Sequence, residues 1–158
     1  MIKKILAAGA FAASAVFLVP LASAQTFSPN GPFTLTSIAS ITFNNGLTLT
    51  CNSLNGIGSV SGGAASVSSI TVSGGGCGVV FTGTPYVISS SSPTSITLNG
   101  IVISSWIGGC AGSLTGDYDQ STGVITFRGA TIPSTTYSNP CRLYGRVQLS
   151  PAVIFTIP

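Results

Sequence analysis

Apolar and polar positions alternate along this chain in short runs, and nearly every run ends at a Gly, Pro or Asn. Leu47 to Cys51 is the clearest early case. Leu47, Leu49 and Cys51 fall on one face, and Thr48 and Thr50 on the other. A period of two marks a half-buried strand, so this segment reads as an antiparallel strand carrying its Cys inward. Leu143 to Leu149 repeats the pattern, with Leu143, Gly145, Val147 and Leu149 opposed to Tyr144, Arg146 and Gln148. Thr34 to Phe43 alternates imperfectly and reads as one strand or two short ones. Asn44-Asn45-Gly46 follows, and Asn-Gly is a hairpin signal because both residues accept positive φ. Ile96 to Leu98, Asn99-Gly100 and Ile101 to Ile103 read as a second hairpin of this kind. Val79 to Phe81, Tyr86 to Ile88 and Ala152 to Ile157 supply further short strands. No window combines a helical period with a capping signal. The expected fold is all-β, an antiparallel sandwich or partly open barrel with two disulfides.

The cysteines organise this pattern. Cys51 to Cys77 and Cys110 to Cys141 each open with a Cys followed by Leu and Gly: Leu54 and Gly56 in the first, Leu114 and Gly116 in the second. Each then has a turn-rich tip, Gly62-Gly63 or Gln120 to Gly123, a β-branched strand and a closing Cys. They read as two stapled hairpin units related by duplication. Three pairings of four cysteines are possible, and the two-unit reading favours Cys51 with Cys77 and Cys110 with Cys141. Each bridge then closes a loop long enough to contribute roughly 3–4 kcal/mol in the chain-entropy view. The spacings are wide and the chain has no His, which argues against a metal site.

Residues 1–24 change the frame. Lys3 and Lys4 precede an apolar run from Ile5 to Leu21, and Ala22-Ser23-Ala24 stands before Gln25 as a small-residue cleavage site. That is the pattern of a secretory signal peptide. Its removal leaves residues 25–158 as a single all-β domain, with residues 25–33 as a flexible arm or a segment lying along the fold. No other apolar run is long enough to span a membrane. An exported chain with four Cys is expected to be oxidised.

Removing the first 24 of 158 residues leaves 134, of which 40 are Ser or Thr. The remaining charges are Arg128, Arg142, Arg146, Asp117 and Asp119, with no Lys, Glu or His. So little positive charge excludes a nucleic-acid footprint. Catalysis has equally little to draw on. No Ser has a His or Lys partner, and the only side-chain carboxylates, Asp117 and Asp119, share one short segment rather than flanking a substrate. Neither an enzyme nor a cofactor site is expected. Asp117-Tyr118-Asp119-Gln120-Ser121 resembles the opening of a calcium loop, but Thr122 and Arg128 stand where that loop needs Gly and Glu. A hairpin tip is the simpler reading. Trp106, Tyr118, Tyr137 and Tyr144 are candidates for a sugar-binding platform, against which Trp106 among Ile103 and Ile107 reads as core.

Edge strands are usually guarded by Lys or other charges, and this chain has almost none. Ala152, Val153, Ile154, Phe155, Thr156 and Ile157 are apolar, β-prone and uncharged between two Pro residues. They form a candidate segment for pairing with a neighbouring subunit, although a core strand of the same domain fits them as well.

AQTFSP, LTLTCNSLNGIG, ITVSGGGCGVVFTGTPYVIS and GGCAGSLTGDYDQSTGVITF, with the later NPC, resemble the secreted bacterial family called protein activator of alkane oxidation. The resemblance covers most of the chain after residue 24. It implies an extracellular or cell-surface protein that promotes growth on long-chain alkanes by helping cells contact the hydrocarbon. Two roles follow as expectations. One is a non-enzymatic protein acting at hydrophobic surfaces. The other is a self-assembling subunit of a surface fibre or biofilm matrix, whose partner is a second copy of itself.

Overall fold

In the computed structural model the short alternating runs become thirteen strands with no helix among the described residues, 25–158. The expected signal segment, residues 1–24, lies outside them. In chain order the strands are β1 (Thr26–Ser28), β2 (Gly31–Ser37), β3 (Ile41–Asn44), β4 (Thr48–Cys51), β5 (Ser53–Ser61), β6 (Ala64–Ser73), β7 (Val79–Thr82), β8 (Tyr86–Ser89), β9 (Ser95–Ser105), β10 (Gly108–Asp119), β11 (Val124–Ile132), β12 (Cys141–Ser150) and β13 (Ile154–Thr156).

β2, β5, β6, β8, β9, β10, β11 and β12 form an antiparallel ring in that spatial order, and the pairing of β11 with β12 closes it. The all-β expectation holds, and the barrel is closed rather than partly open. The long strand β12 makes closure possible. One of its edges takes β11, and the other is divided between β2 and β3. In the same way β9 pairs with β10 on one side and with β8 and β7 on the other. Closure removes most strand edges, so the missing guard charges are needed at few places.

Inward positions follow the alternation. Phe33, Leu35, Leu54, Leu98, Leu114, Ile125, Leu143 and Val147 are all buried. The Phe33 ring reaches over Gly58 of β5, which has no side chain; a Cβ there would come within 2.2 Å of the ring. The remaining space at the barrel centre is about 20 Å3, room for about one water. Eight strands suffice for a side-chain-filled interior or one small ligand, and here side chains fill it.

Three local expectations are corrected. Asn99-Gly100 is not a hairpin turn; β9 runs straight through it. Gly100 has φ +75°, and the register with β10 shifts between Gly112 and Leu114, which makes a β-bulge. The extra residue reverses the parity of the strand, so Ile96 and Leu98 before it and Ile101 and Ile103 after it all point inward. The Asn99 amide donates to Val87 O and Ser89 Oγ and accepts from Ser113 Oγ, which holds the bulge in place. Leu47 is not on the inward face of β4. It belongs to the preceding turn, where its carbonyl accepts from Asn45 N, and it is exposed. Trp106 is not core either. Ile103 and Ile107 are buried, but Trp106 caps the β9–β10 turn and is 68% exposed.

The bridges are Cys51–Cys77 and Cys110–Cys141, with Cα–Cα distances of 4.7 and 6.3 Å. The two hairpin units are β5–β6 and β10–β11. They stand four places apart on the ring, on opposite sides of the barrel, with their tips at the same end.

Candidate interaction surfaces

The two barrel ends are built differently. At the end holding the hairpin tips, β13 pairs with β1, matching Phe155 to Phe27 and Ile154 to Ser28. The Phe27 and Phe155 ring centroids are 5.4 Å apart, and Tyr118 stacks on Phe155 at 5.9 Å. The Tyr118 hydroxyl donates to Val153 O at 2.6 Å and accepts from Val153 N at 3.1 Å. Gln120 Oε1 accepts from Phe155 N at 2.8 Å. The segment Ala152 to Ile157 is thus paired within its own chain. Val153 and Phe155 face the interior, while Ile154 and Ile157 face out. Burial pushes the Tyr118 hydroxyl above its ordinary pKa.

The opposite end carries both bridges and stays open. A cleft of about 400 Å3 lies there between the β3–β4 turn, the β9–β10 turn and the loop before β12, bordered by Leu47, Trp106 and Tyr137. Asn45 lines it and is only 2% exposed, yet neither its Nδ2 nor its Oδ1 has a hydrogen-bond partner. A buried polar group left in that state costs about 1–3 kcal/mol.

The outer wall is divided by charge. Among the described residues every charge lies on three adjacent strands: Asp117 and Asp119 on β10, Arg128 on β11, and Arg142 and Arg146 on β12. Asp117 is level with Thr126 and Thr126 with Arg146, so acid, hydroxyl and base form a row. Arg128 Nε lies 3.6 Å from Asp117 Oδ2, with both side chains mostly in solvent. The Ser121 hydroxyl and amide both donate to the Asp119 carboxylate, and these bonds hold its pKa below the usual value. These are the contacts of a hairpin tip.

On the other side of the ring, β5, β6, β7, β8 and β9 carry no charge at all. Their outer positions are Ser, Thr and Asn with four aliphatic side chains among them: Ile57, Val80, Val87 and Val102 are 39–57% exposed. Hydroxyls bond to one another within this wall, as Ser53 to Ser73, and across its border with β10, as Thr97 to Thr115, each at 2.8 Å.

The model of the family "Alkane oxidation protein activator PraA/PraB-like" matches residues 1–157. The chain belongs to that family. No curated protein and no solved structure matches it. The family's name ties this PraA/PraB-like protein to alkane oxidation as an activator. Two disulfides fit an oxidising compartment. No helix among the described residues is long and apolar enough to cross a membrane.

The four aromatic residues singled out in the sequence do not form one platform. Tyr118 is buried under β13, and Tyr144 lies over Gly129 on the charged wall. Trp106 and Tyr137 both line the cleft at the disulfide-bearing end. Asn45 and Leu47 join them, and the sequence pattern missed both because it treated them as turn and strand residues.

Proposed function

We propose that this PraA/PraB-like protein is a secreted, non-enzymatic surface protein that promotes contact with, and thereby use of, hydrophobic substrates such as long-chain alkanes. The observation that carries this reading is the segregation of charge. A barrel with every described charge on three adjacent strands, and exposed aliphatic side chains on the other side, is amphipathic across its width. At an oil–water boundary the uncharged wall lies against hydrocarbon and the charged wall keeps its hydration. Removing apolar area from water is worth roughly 25 cal/mol per Å2, so four half-exposed aliphatic side chains supply on the order of 4 kcal/mol.

Carriage of an alkane inside the barrel has no support, since the interior space is about 20 Å3 and sites for small ligands are usually about 300–1,000 Å3. A fibre subunit joined through Ala152 to Ile157 receives less support than surface contact. β13 already pairs with β1, and the amides of Val153 and Phe155 are taken by Tyr118 and Gln120. The test is depletion of the oxidised protein, residues 25–158, from solution by hexadecane droplets, beside a charged globular protein of similar mass. Depletion well beyond the control is expected. Equal depletion of the two proteins contradicts the reading.

A further inference from the structure

The cleft at the disulfide-bearing end has a chemistry that contact with oil does not use. Its walls are aromatic and aliphatic: Trp106, Tyr137 and Leu47. Asn45 lines it, with its amide buried beneath the surface and without a partner on either side-chain atom, and Ser138 and Asn139 add further neutral polar groups. No charged residue lines it.

Trp106 is exposed but fixed. Its five-membered ring rests on Gly78, where even a Cβ would come within 2.4 Å of Cδ1. Gly78 follows Cys77, which is tied to β4 through Cys51. The backbone that carries Tyr137 is held as well. Its amide donates to Ser134 Oγ at 3.0 Å, and Thr135 N donates to Gly109 O at 2.8 Å. The indole and the backbone that carries Tyr137 are therefore set in place before any ligand arrives, which lowers the ordering cost of binding.

Each class of ligand can be weighed against this lining. An anion finds no cation. An alkane covers the aromatic walls but leaves the Asn45 amide unpaired. A nucleobase fits the aromatic walls, but no basic group stands by to hold its phosphate. A neutral sugar satisfies all of it. The C–H face of a pyranose lies on the indole, and its hydroxyls, each both donor and acceptor, match the two N–H donors and the acceptor oxygen of the Asn45 amide. We propose that this cleft is a carbohydrate-binding site for neutral hexose units of a polysaccharide. The site is separate from the uncharged wall, so one molecule can hold a glycan at its end while its side lies on hydrocarbon.

Trp106 is the only tryptophan in the chain, so its fluorescence reports directly on the site. Oxidised protein, residues 25–158, is titrated with hexaoses of β1,4-glucose, α1,6-glucose, β1,4-mannose and β1,4-galactose, and with hexagalacturonate as the charged control. At least one neutral oligosaccharide is expected to give a saturable shift that hexagalacturonate does not. Asn45→Ala retains the tryptophan and is expected to weaken that binding at least about tenfold. Its melting temperature is expected to match or exceed that of the parent, because the amide it removes has no partner. Tyr137→Ala is expected to weaken binding as well, and both variants are expected to deplete onto hexadecane like the parent. No saturable response to any of the four neutral hexaoses overturns the proposal. So does binding that Asn45→Ala and Tyr137→Ala both leave intact. Loss of sugar binding with hexadecane depletion unchanged separates this site from the surface reading, and the converse loss would fall on that reading alone.

Discussion

The two walls of this barrel share one interior and one backbone pattern, yet they carry different chemistry outward. On β10, β11 and β12 the solvent-facing positions hold all five described charges, and Cys110–Cys141 ties the first of these strands to the third. On β5 to β9 the same outward positions hold hydroxyls and aliphatic groups, and no bridge joins two of these strands. The inward residues do not distinguish the two walls: Leu54 and Ile70 on one are as apolar and buried as Leu114 and Ile125 on the other. Alternation lets a strand keep its packing while its other face changes freely. The difference between the walls therefore belongs to contact with the surroundings and not to folding.

The largest effect expected from breaking this difference is on adsorption. Charging the uncharged wall by Ile57→Asp with Val87→Asp should remove most of the binding to hexadecane droplets, while melting shows a folded protein. Both side chains are more than half exposed, so the fold does not depend on them. Next comes the bridge of the charged wall. Replacing Cys110 and Cys141 together by Ser should cost about 3–4 kcal/mol in urea unfolding for a closed loop of this length, without changing which wall meets oil.

A smaller effect lies beneath the charged wall. Tyr118→Phe removes a hydroxyl that both donates to and accepts from Val153 in a buried setting, and should cost about 1–3 kcal/mol. Tyr118 also sets a pH limit. Burial raises its pKa in the folded state, so its contribution is fully present below about pH 10 and is lost as pH rises through the raised value. Melting temperature should begin to fall above about pH 10, and Tyr118→Phe should reduce that alkaline loss. Tyr86, also raised by burial, accounts for part of what remains. The smallest effect is expected from Arg128→Ser. An ion pair of 3.6 Å between exposed side chains should change stability by less than about 1 kcal/mol.

Much of this architecture can be read from the sequence. The Asn44 to Gly46 hairpin, the inward face of Leu143 to Leu149 and the all-β class follow from local rules, because each depends on residues close in sequence; the two-unit reading favours the observed pairing of the cysteines without fixing it. Three features depend on more than that. Barrel closure needs β11 to meet β12, and alternation within a strand does not say which strand lies beside it. Asn99-Gly100 carries the letters of a turn, but the bulge form places Ile101 and Ile103 in the core beside Leu98, and burial decides between the two. Trp106 looks like core by its neighbours. Its position in a two-residue turn puts it outside, over a glycine 28 positions earlier that only the folded chain brings near. The candidate cleft was half visible, since Trp106 and Tyr137 stood out as aromatics while Asn45 and Leu47 passed as elements of a hairpin.

The measurement that bears most directly on the account is dynamic interfacial tension at a hexadecane drop in water. Three samples are compared: the oxidised protein, its Ile57→Asp/Val87→Asp variant, and an Arg142→Ser/Arg146→Ser variant that removes charge from the other wall. The account predicts a rapid fall for the parent, a fall at least as rapid for the arginine variant, and a response close to that of a charged globular protein for the aspartate variant. Equal curves for the parent and the aspartate variant would contradict it, because the uncharged wall would then not be the surface that meets the oil.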